Sequence, residues 1–182
     1  MMLENLVIRE SLPEELAAVL AVEKAAFGSG EEIRLVKKLL KDPSAEPVLS
    51  LLALFDSQAV GHILLTKAVL DPPIALKAYI LAPLAVIPAF QKQGIGGSLI
   101  KQSLQILAGW GVDWVFVLGH GSYYPRHGFS PALKLGFEPP YPIPEQLAGA
   151  WMAQVLTPTC NGSYRGKVIP ARTLNQARYW RE

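Results

Sequence analysis

Two glycines at the start of a predicted helix mark the segment of this chain that could do chemistry. An apolar strand pattern ends at Val86. A turn that contains Gly94 follows it, and an amphipathic helix pattern begins at Ile95, with Gly96 in its first turn. A strand that turns into a helix directs unpaired backbone N–H groups and the positive end of the helix dipole at one place, which attracts an anion. Because glycine has no side chain, a phosphate can approach the backbone closely there. The pattern therefore predicts a phosphate-binding turn over residues 91–97.

Two better-known phosphate motifs do not fit this turn. The dinucleotide fingerprint G-x-G-x-x-G follows its strand closely, whereas here seven residues separate Val86 from Gly94, and Leu99 stands at the sixth position. The P-loop requires Gly-Lys followed by Ser or Thr, and the sequence does not contain it. The pattern that remains is Q-x-x-G-x-G, formed by Gln91, Gly94 and Gly96. An ordinary glycine-containing connection is the alternative.

A second motif follows about thirty residues later. Residues 114–118 form a short apolar strand pattern, which a Gly-His-Gly-Ser segment interrupts. The pattern Y-x-x-x-G-F then appears with Tyr124, Gly128 and Phe129, directly after a first tyrosine, Tyr123. Tyr124 is a candidate functional residue, and the alternative is a core aromatic whose hydroxyl group is hydrogen-bonded.

Taken in this order, the two motifs resemble those of the GNAT superfamily, the acyl-CoA-dependent N-acetyltransferases. The doubled tyrosine and the Pro-Pro-Tyr-Pro-Ile-Pro run at 139–144 are similar to a bacterial subgroup of predicted acetyltransferases. The resemblance covers about residues 5–157. It implies an α/β (α+β) fold of the GNAT type, with a mixed, mostly antiparallel central sheet flanked by helices and a splay between its fourth and fifth strands. We expect one N-acetyltransferase domain over 1–182, in which 158–182 form a C-terminal extension.

The resemblance also implies a cofactor, acetyl-CoA (coenzyme A), and a place for it. Its pyrophosphate is expected on the N–H groups of residues 91–97, and its pantetheine arm along strand backbone that the splay leaves unpaired. Pro83 agrees with this, because a proline in a central strand belongs at an edge or a bulge, although it could also mark a strand end. The cofactor-binding residues implied in this way are Leu84, Ala85, Val86, Gln91, Lys92, Gln93, Gly94, Ile95, Gly96, Gly97, Ser122 and Arg126.

The expected reaction is direct attack of an amine on the acetyl thioester in a ternary complex, since the sequence shows no activated nucleophile for a covalent route. A tyrosine hydroxyl, with a pKa near ~10, suits protonation of a leaving thiolate, and we assign this general-acid role to Tyr124. An alkylammonium has a pKa near ~10.4, so a base is also needed. The sequence leaves that base open among Glu31, Glu32, His62, His120 and Glu138.

Two other functions and several acceptors stay open. The chain could be a non-catalytic acyl-CoA-binding sensor or scaffold module, or a nucleotide-binding α/β domain. The N-terminal helices (roughly 13–40) and the 70–77 loop are expected on the acceptor side, where Glu23, Glu31 and Glu32 could attract a cationic amine. The acceptor is a small-molecule amine or a protein amine. Monomer and homodimer are both compatible with the sequence.

The composition of the chain argues against several functional classes of protein. The chain has 182 residues, half of them hydrophobic, which is enough for a full core. A net charge of +2 without a basic run argues against nucleic-acid and membrane partners. Cys160 is the only cysteine, so no intrachain disulfide can form, and the three histidines have no metal-ligand spacing. No signal peptide or membrane span is apparent, and we expect a cytoplasmic protein without a metal.

Periodicity and turn residues predict the elements that position these motifs. The predicted strands are Leu6–Glu10, Val48–Phe55, Ala59–Leu65, Ala78–Ile87, Trp114–Leu118, Lys134–Glu138, Trp151–Leu156 and Gly166–Leu174. The predicted helices run from Pro13 to about Phe27, over Glu31–Leu40 and over Ile95–Ala108, with a short one that begins at Pro125.

Overall fold

The computed structural model describes residues 4–157 and 164–181, so Cys160 lies outside the described residues. These residues form three α-helices, α1 (Leu16–Phe27), α2 (Glu31–Leu39) and α3 (Ile95–Gly109), together with several short 3₁₀ turns. The strands are β1 (Leu6–Glu10), β2 (Leu49–Phe55), β3 (Gln58–Asp71), β4 (Ala78–Val86), β5 (Trp114–Leu118), β6 (Ser130–Pro131), β7 (Phe137–Glu138), β8 (Trp151–Val155) and β9 (Gly166–Ile169).

The strands form one sheet in the order β1-β2-β3-β4-β5-β8-β6, and β9 joins the far end of β3 and also pairs with β7. Along the main path every pair is antiparallel except β4 with β5. This mixed, mostly antiparallel sheet flanked by helices confirms the predicted fold class.

The splay between the fourth and fifth strands is visible in their pairing. β4 and β5 are in register only at three positions, the last of which joins Ile80 to Phe116. On the other side of β4 the register with β3 shifts, so that Ala82 and Pro83 stand opposite the single residue Leu64. Two residues facing one define a β-bulge, which bends its strand. Pro83 therefore lies at the bulge that accompanies the splay.

Helices cover the two faces of the sheet and bury two cores. α1 and α2 cover one face with a cluster that includes Val19, Val36 and Leu39. α3 covers the other face, and its buried residues recur at helical spacing from Ile95 to Leu107. At about 1.5–3 kcal/mol for each fully buried large apolar side chain, this packing holds the start of α3 firmly against the sheet.

The structure differs from three of the predicted strands and also contains β6, which was not predicted. β3 continues past Leu65 to Asp71, because its second half pairs with β4 and then with β9. The predicted strand Lys134–Glu138 is wrong over its first half: Gly136, at φ +93°, separates a 3₁₀ turn from the two-residue β7. The predicted strand from Gly166 ends at Ile169, where Pro170 cannot donate a ladder hydrogen bond. In the part of the chain that the structure describes, no helix is both long and apolar enough to span a bilayer.

Candidate active site

The gap between the diverging ends of β4 and β5 is a cleft of about 1080 Å³. One wall is β4 from Leu81 onward, and the opposite wall is the end of β5 with the segment that follows it. The turn before α3 closes one end, while Phe27 of α1 and Glu32 of α2 line it from the other side. The residues that shape the cleft thus come from both motifs found in the sequence.

The glycine turn has the geometry that anion binding requires. Gly94 takes a left-handed conformation at φ +87° and precedes the first residue of α3. The N–H groups of Ile95, Gly96 and Gly97 lie in the first helical turn, where helix geometry supplies no carbonyl partner. Lys92 lines the same part of the cleft, so a positive charge is added to the helix dipole.

The two glutamines of the turn hold its shape. The Gln91 side-chain amide donates to the Val86 carbonyl oxygen at 2.9 Å, and that of Gln93 donates to the Ala89 carbonyl oxygen at 3.2 Å. Both bonds tie the turn back to the end of β4 and the 3₁₀ turn after it. Val86 was expected to bind the cofactor through its backbone, but its carbonyl oxygen already accepts the hydrogen bond from Gln91.

Two aromatic rings pack against the first turn of α3. A Cβ atom on Gly96 would stand 2.5 Å from the Tyr123 hydroxyl oxygen, and one on Gly97 would stand 2.8 Å from His127 Cε1. The Tyr123 and His127 rings contact each other edge to face, with centroids 4.9 Å apart. Burial, and then the charge of Arg126, lower the pKa of His127. Sequence analysis did not assign either ring to the turn, although their i, i+4 spacing is the signal that could have paired them.

Tyr124 lies deeper in the same wall. Its side chain is 8% exposed and packs edge to face against Tyr123 and Phe129. A Cβ atom on Gly119 would collide with its ring, so glycine is needed there to admit the tyrosine. Burial, reinforced by Tyr123, raises the pKa of Tyr124 well above its ordinary value, which keeps its hydroxyl protonated at neutral pH.

Two of the five candidate bases line the cleft. Glu32 and His120 line it, and the Ser29 hydroxyl donates to the Glu32 carboxylate. Glu138 instead lines a separate groove with Lys134 and Arg165, Glu31 is exposed at the start of α2, and His62 is fully buried under α1. Glu32 and His120 are therefore the two candidates in contact with the cleft.

Most of the predicted cofactor-binding residues come together in the cleft. Ala85, Gln93 and Ser122 are the exceptions: Ala85 is 2% exposed, Gln93 is turned to the Ala89 carbonyl oxygen and Ser122 is exposed outside the lining. Those that line it, besides Tyr124, are Leu84, Val86, Gln91, Lys92, Gly94, Ile95, Gly96, Gly97 and Arg126.

A splayed sheet, with a gap that ends at the glycine-containing N-terminus of a helix, is the arrangement that the two sequence motifs predicted. A comparison with family models gives the same result. Residues 16–129 match the model of the Acetyltransferase (GNAT) family. The chain belongs to this family of acyltransferases, which confirms the resemblance found in the motifs. It is 52% identical over 141 residues to the uncharacterized N-acetyltransferase YjhQ of Escherichia coli strain K12, a match that covers 75% of this chain and 76% of that protein.

Solved structures show the same fold. The GNAT family N-acetyltransferase YhbS of Escherichia coli, in complex with CoA, has a TM-score of 0.85 at 24% identity, over 94% of this chain and 93% of that one. A GNAT family acetyltransferase of Brucella melitensis, in complex with acetyl-CoA, has a TM-score of 0.74 at 28% identity, over 93% and 97% of the two chains.

Proposed function

We propose that the chain is an N-acetyltransferase that moves an acetyl group from acetyl-CoA to a primary amine by direct attack in a ternary complex. The observation that carries this proposal is a single cleft that joins the glycine turn, the opened edge of β4 and Tyr124. The Brucella melitensis structure with acetyl-CoA supports the choice of cofactor. We further propose that 1–182 form one domain with a C-terminal extension, and β9 of that extension pairs with β3.

The residues present suit each part of acetyl-CoA. The N–H groups of Gly96 and Gly97 would hold the pyrophosphate, helped by the charges of Lys92 and Arg126, which also line the cleft. In the described part of the chain, no strand pairs with β4 beyond Ile80 on the β5 side, so its backbone would pair with the amides of the pantetheine arm. The cofactor supplies an acetyl group activated as a thioester.

The chain itself would supply the proton transfers. Tyr124 stays protonated at neutral pH and would donate to the leaving thiolate sulfur, and its raised pKa makes it a weaker acid than a free tyrosine. Glu32 or His120 would collect a proton from the amine, because these are the two candidate bases that line the cleft. Phe27, which is 42% exposed beside Glu32, would offer an apolar contact to the carbon attached to the amine.

A transfer assay tests the proposal. The purified chain is incubated with acetyl-CoA and a panel of primary amines, both small molecules and peptides with a free N-terminus or lysine. Free CoA thiol is followed with a thiol reagent, and the product is identified by mass spectrometry. We expect an amine-dependent release of CoA with one acetyl group on the amine. Binding of acetyl-CoA without transfer to any amine would instead favour the non-catalytic module.

A further inference from the structure

His127 stands beside the glycine turn and has no part in the reaction as proposed so far. A Cβ atom on Gly97 would lie 2.8 Å from His127 Cε1, 3.5 Å from Nδ1 and 3.6 Å from Nε2. The imidazole therefore presents the edge that contains both of its nitrogens to the first turn of α3. His127 also lines the cleft, and neither ring nitrogen has a hydrogen-bond partner among the described residues.

The charged side chains around His127 are mostly positive. Arg126 is its neighbour in the chain, and Lys92 lines the same cleft from the turn before α3. Lys101 lies on α3 four residues after the glycine that the imidazole faces, and so on the same face of the helix. Among the described residues, Glu32 is the one carboxylate in the cleft lining. These surroundings suit an anionic ligand.

The same surroundings disfavour a charge on His127 in the free chain. Its burial and the charge of Arg126 both lower the pKa of the imidazole, and the positive end of the α3 dipole acts in the same direction. Tyr123 is the other titratable group that the ring contacts, and burial raises the pKa of its hydroxyl, so it stays uncharged at neutral pH. His127 is therefore mostly neutral at pH 7 in the free chain.

A phenylalanine would fill the space beside Gly97 and contact the Tyr123 ring as well as His127 does. What an imidazole adds is the capacity to gain a proton, and with it a positive charge, near neutral pH when a negative group approaches. The first turn of α3 is where the proposed function places the pyrophosphate. An anion bound there lies within reach of the ring edge that carries the two nitrogens.

We propose that His127 is a cofactor-binding residue that takes up a proton when the pyrophosphate of acetyl-CoA binds to the glycine turn, an inference that rests on the proposed function. The proton comes from solvent and goes to the unprotonated ring nitrogen. The imidazolium then donates a hydrogen bond to one phosphate oxygen, while the N–H groups of Gly96 and Gly97 donate to others. No covalent bond to carbon or phosphorus forms or breaks.

The direction of the pH dependence follows from this proton uptake. The negative charge of the pyrophosphate opposes the effects of burial and of Arg126, so the pKa of His127 is higher in the complex than in the free chain. The contribution of His127 to acetyl-CoA affinity is therefore complete at low pH. It is lost as the pH rises from the pKa of the free chain to that of the complex. Acetyl transfer depends on pH in the opposite direction, because the amine reacts only when it is neutral.

Calorimetric titration with acetyl-CoA tests the inference. Titrations in two buffers with different enthalpies of ionisation count the protons taken up, and they are repeated from about pH 5.5 to about pH 8.5. The unmodified chain is compared with His127→Phe, which keeps an aromatic ring against Gly97 and Tyr123. We expect the affinity of the unmodified chain to fall by about tenfold more than that of the variant over this range. The difference in uptake should peak at about half a proton per chain.

The cofactor also has a titratable group of its own, and two more variants sharpen the comparison. The 3′-phosphate of acetyl-CoA titrates at about pH 6, but it contributes equally to both proteins and cancels in the difference. His127→Lys supplies a positive charge without the ring, so at about pH 8.5 it should bind acetyl-CoA more tightly than His127→Phe does. His120→Asn removes the other histidine of the cleft lining and should leave the proton uptake unchanged.

The outcomes separate this inference from the proposed function. If His127→Phe binds acetyl-CoA with the same proton uptake and pH dependence as the unmodified chain, the role of His127 is overturned and the proposed function stands. Loss of the uptake in His120→Asn, or weaker binding by His127→Lys than by His127→Phe, would overturn it in the same way. If the unmodified chain binds acetyl-CoA at no pH, the proposed function fails, and the role of His127 fails with it.

Discussion

The two ends of the cleft are built from different parts of the polypeptide. The glycine turn before α3 offers backbone N–H groups, and the missing side chains of Gly96 and Gly97 leave room for the Tyr123 and His127 rings. The acceptor end offers side chains from three separate elements, Phe27, Glu32 and His120. A backbone site recognises what all members of a family share, whereas a side-chain site can differ from one chain to the next. Variants at the two ends should therefore affect different steps.

The largest effect is expected for Gly96→Glu. The new side chain would meet the Tyr123 hydroxyl and place a negative charge in the anion site. Affinity for acetyl-CoA should fall by at least about 100-fold, measured by calorimetry, as expected when about 3 kcal/mol of binding free energy is lost.

The matched control for this variant is Gly109→Glu at the other end of α3. A Cβ atom on Gly109 meets nothing within 4 Å, so the same substitution there should leave acetyl-CoA binding intact. Equal affinities for the two variants would show that the cofactor does not use this turn.

Tyr124→Phe should separate binding from chemistry. Loss of the hydroxyl removes the proton donor but keeps the ring that packs against Phe129. We expect kcat to fall by about 100-fold with unchanged calorimetric affinity for acetyl-CoA. Tyr123→Phe is the comparison, since its ring lies over Gly96, and we expect its effect on kcat to be smaller. An equal kcat for Tyr124→Phe and the unmodified chain would contradict the general-acid assignment.

Glu32→Gln should change the acceptor end alone. The variant removes the carboxylate charge but keeps the group bonded to Ser29. We expect kcat/KM for the amine to fall by about tenfold, within the range of a displaced base or a lost ion pair, without a change in acetyl-CoA affinity. A weaker affinity for acetyl-CoA would mean that the two ends are not independent. His120→Asn, assayed in the same way, tells which of the two residues is the base.

The smallest effect is expected for a variant of Asp42, which stabilises the fold next to the helices on the acceptor side. Asp42, just after α2, accepts hydrogen bonds from Ser44 and from the Thr173 backbone N–H of the C-terminal extension. Burial works to raise the pKa of Asp42, but these hydrogen bonds outweigh it and lower the pKa to about 2. The carboxylate thus stabilises the fold above its ordinary pKa of ~3.9, and this contribution is lost as the pH falls toward 2.

Asp42→Asn should therefore lower the free energy of unfolding by about 1–3 kcal/mol at pH 7, with little difference from the unmodified chain near pH 2. Denaturant unfolding at several pH values measures this. Asp56→Asn is the control, because the Asp56 side chain accepts a hydrogen bond from Asn5 at the exposed surface. The same loss at pH 2 and pH 7 would exclude the carboxylate charge as its source.

Features formed by one continuous segment could be predicted from the sequence, whereas features formed by separate elements could not. β1, β5 and the start of α3 follow from local apolar periodicity and from glycine and proline positions, and the structure confirms them. The missing N–H of proline predicted an edge, a bulge or a strand end at Pro83, and the family resemblance favoured the bulge that the structure has. The extension of β3 to Asp71 depends on pairing with the distant β9, which no local pattern contains.

The sites divide in the same way. The glycine turn and Tyr124 lie within continuous motifs, and the family resemblance of these motifs implied that both would act on the same cofactor. The hydrogen-bonded group of Glu23, His62, Ser50 and Ser11 could not be predicted from the sequence. Its residues are up to 51 positions apart, and α1, β2 and β3 bring them together only in the folded structure. Tyr123 and His127 were next to a recognised motif, but their contact with Gly96 and Gly97 depends on how α3 packs.

Calorimetric titration of the unmodified chain with acetyl-CoA, alongside NADH and ATP, tests the central claim most directly, namely that the splay and the glycine turn form an acyl-CoA site. We predict one molecule of acetyl-CoA bound per chain with micromolar affinity, and no comparable binding of NADH or ATP. Failure to bind acetyl-CoA, or a preference for either nucleotide, would contradict the account.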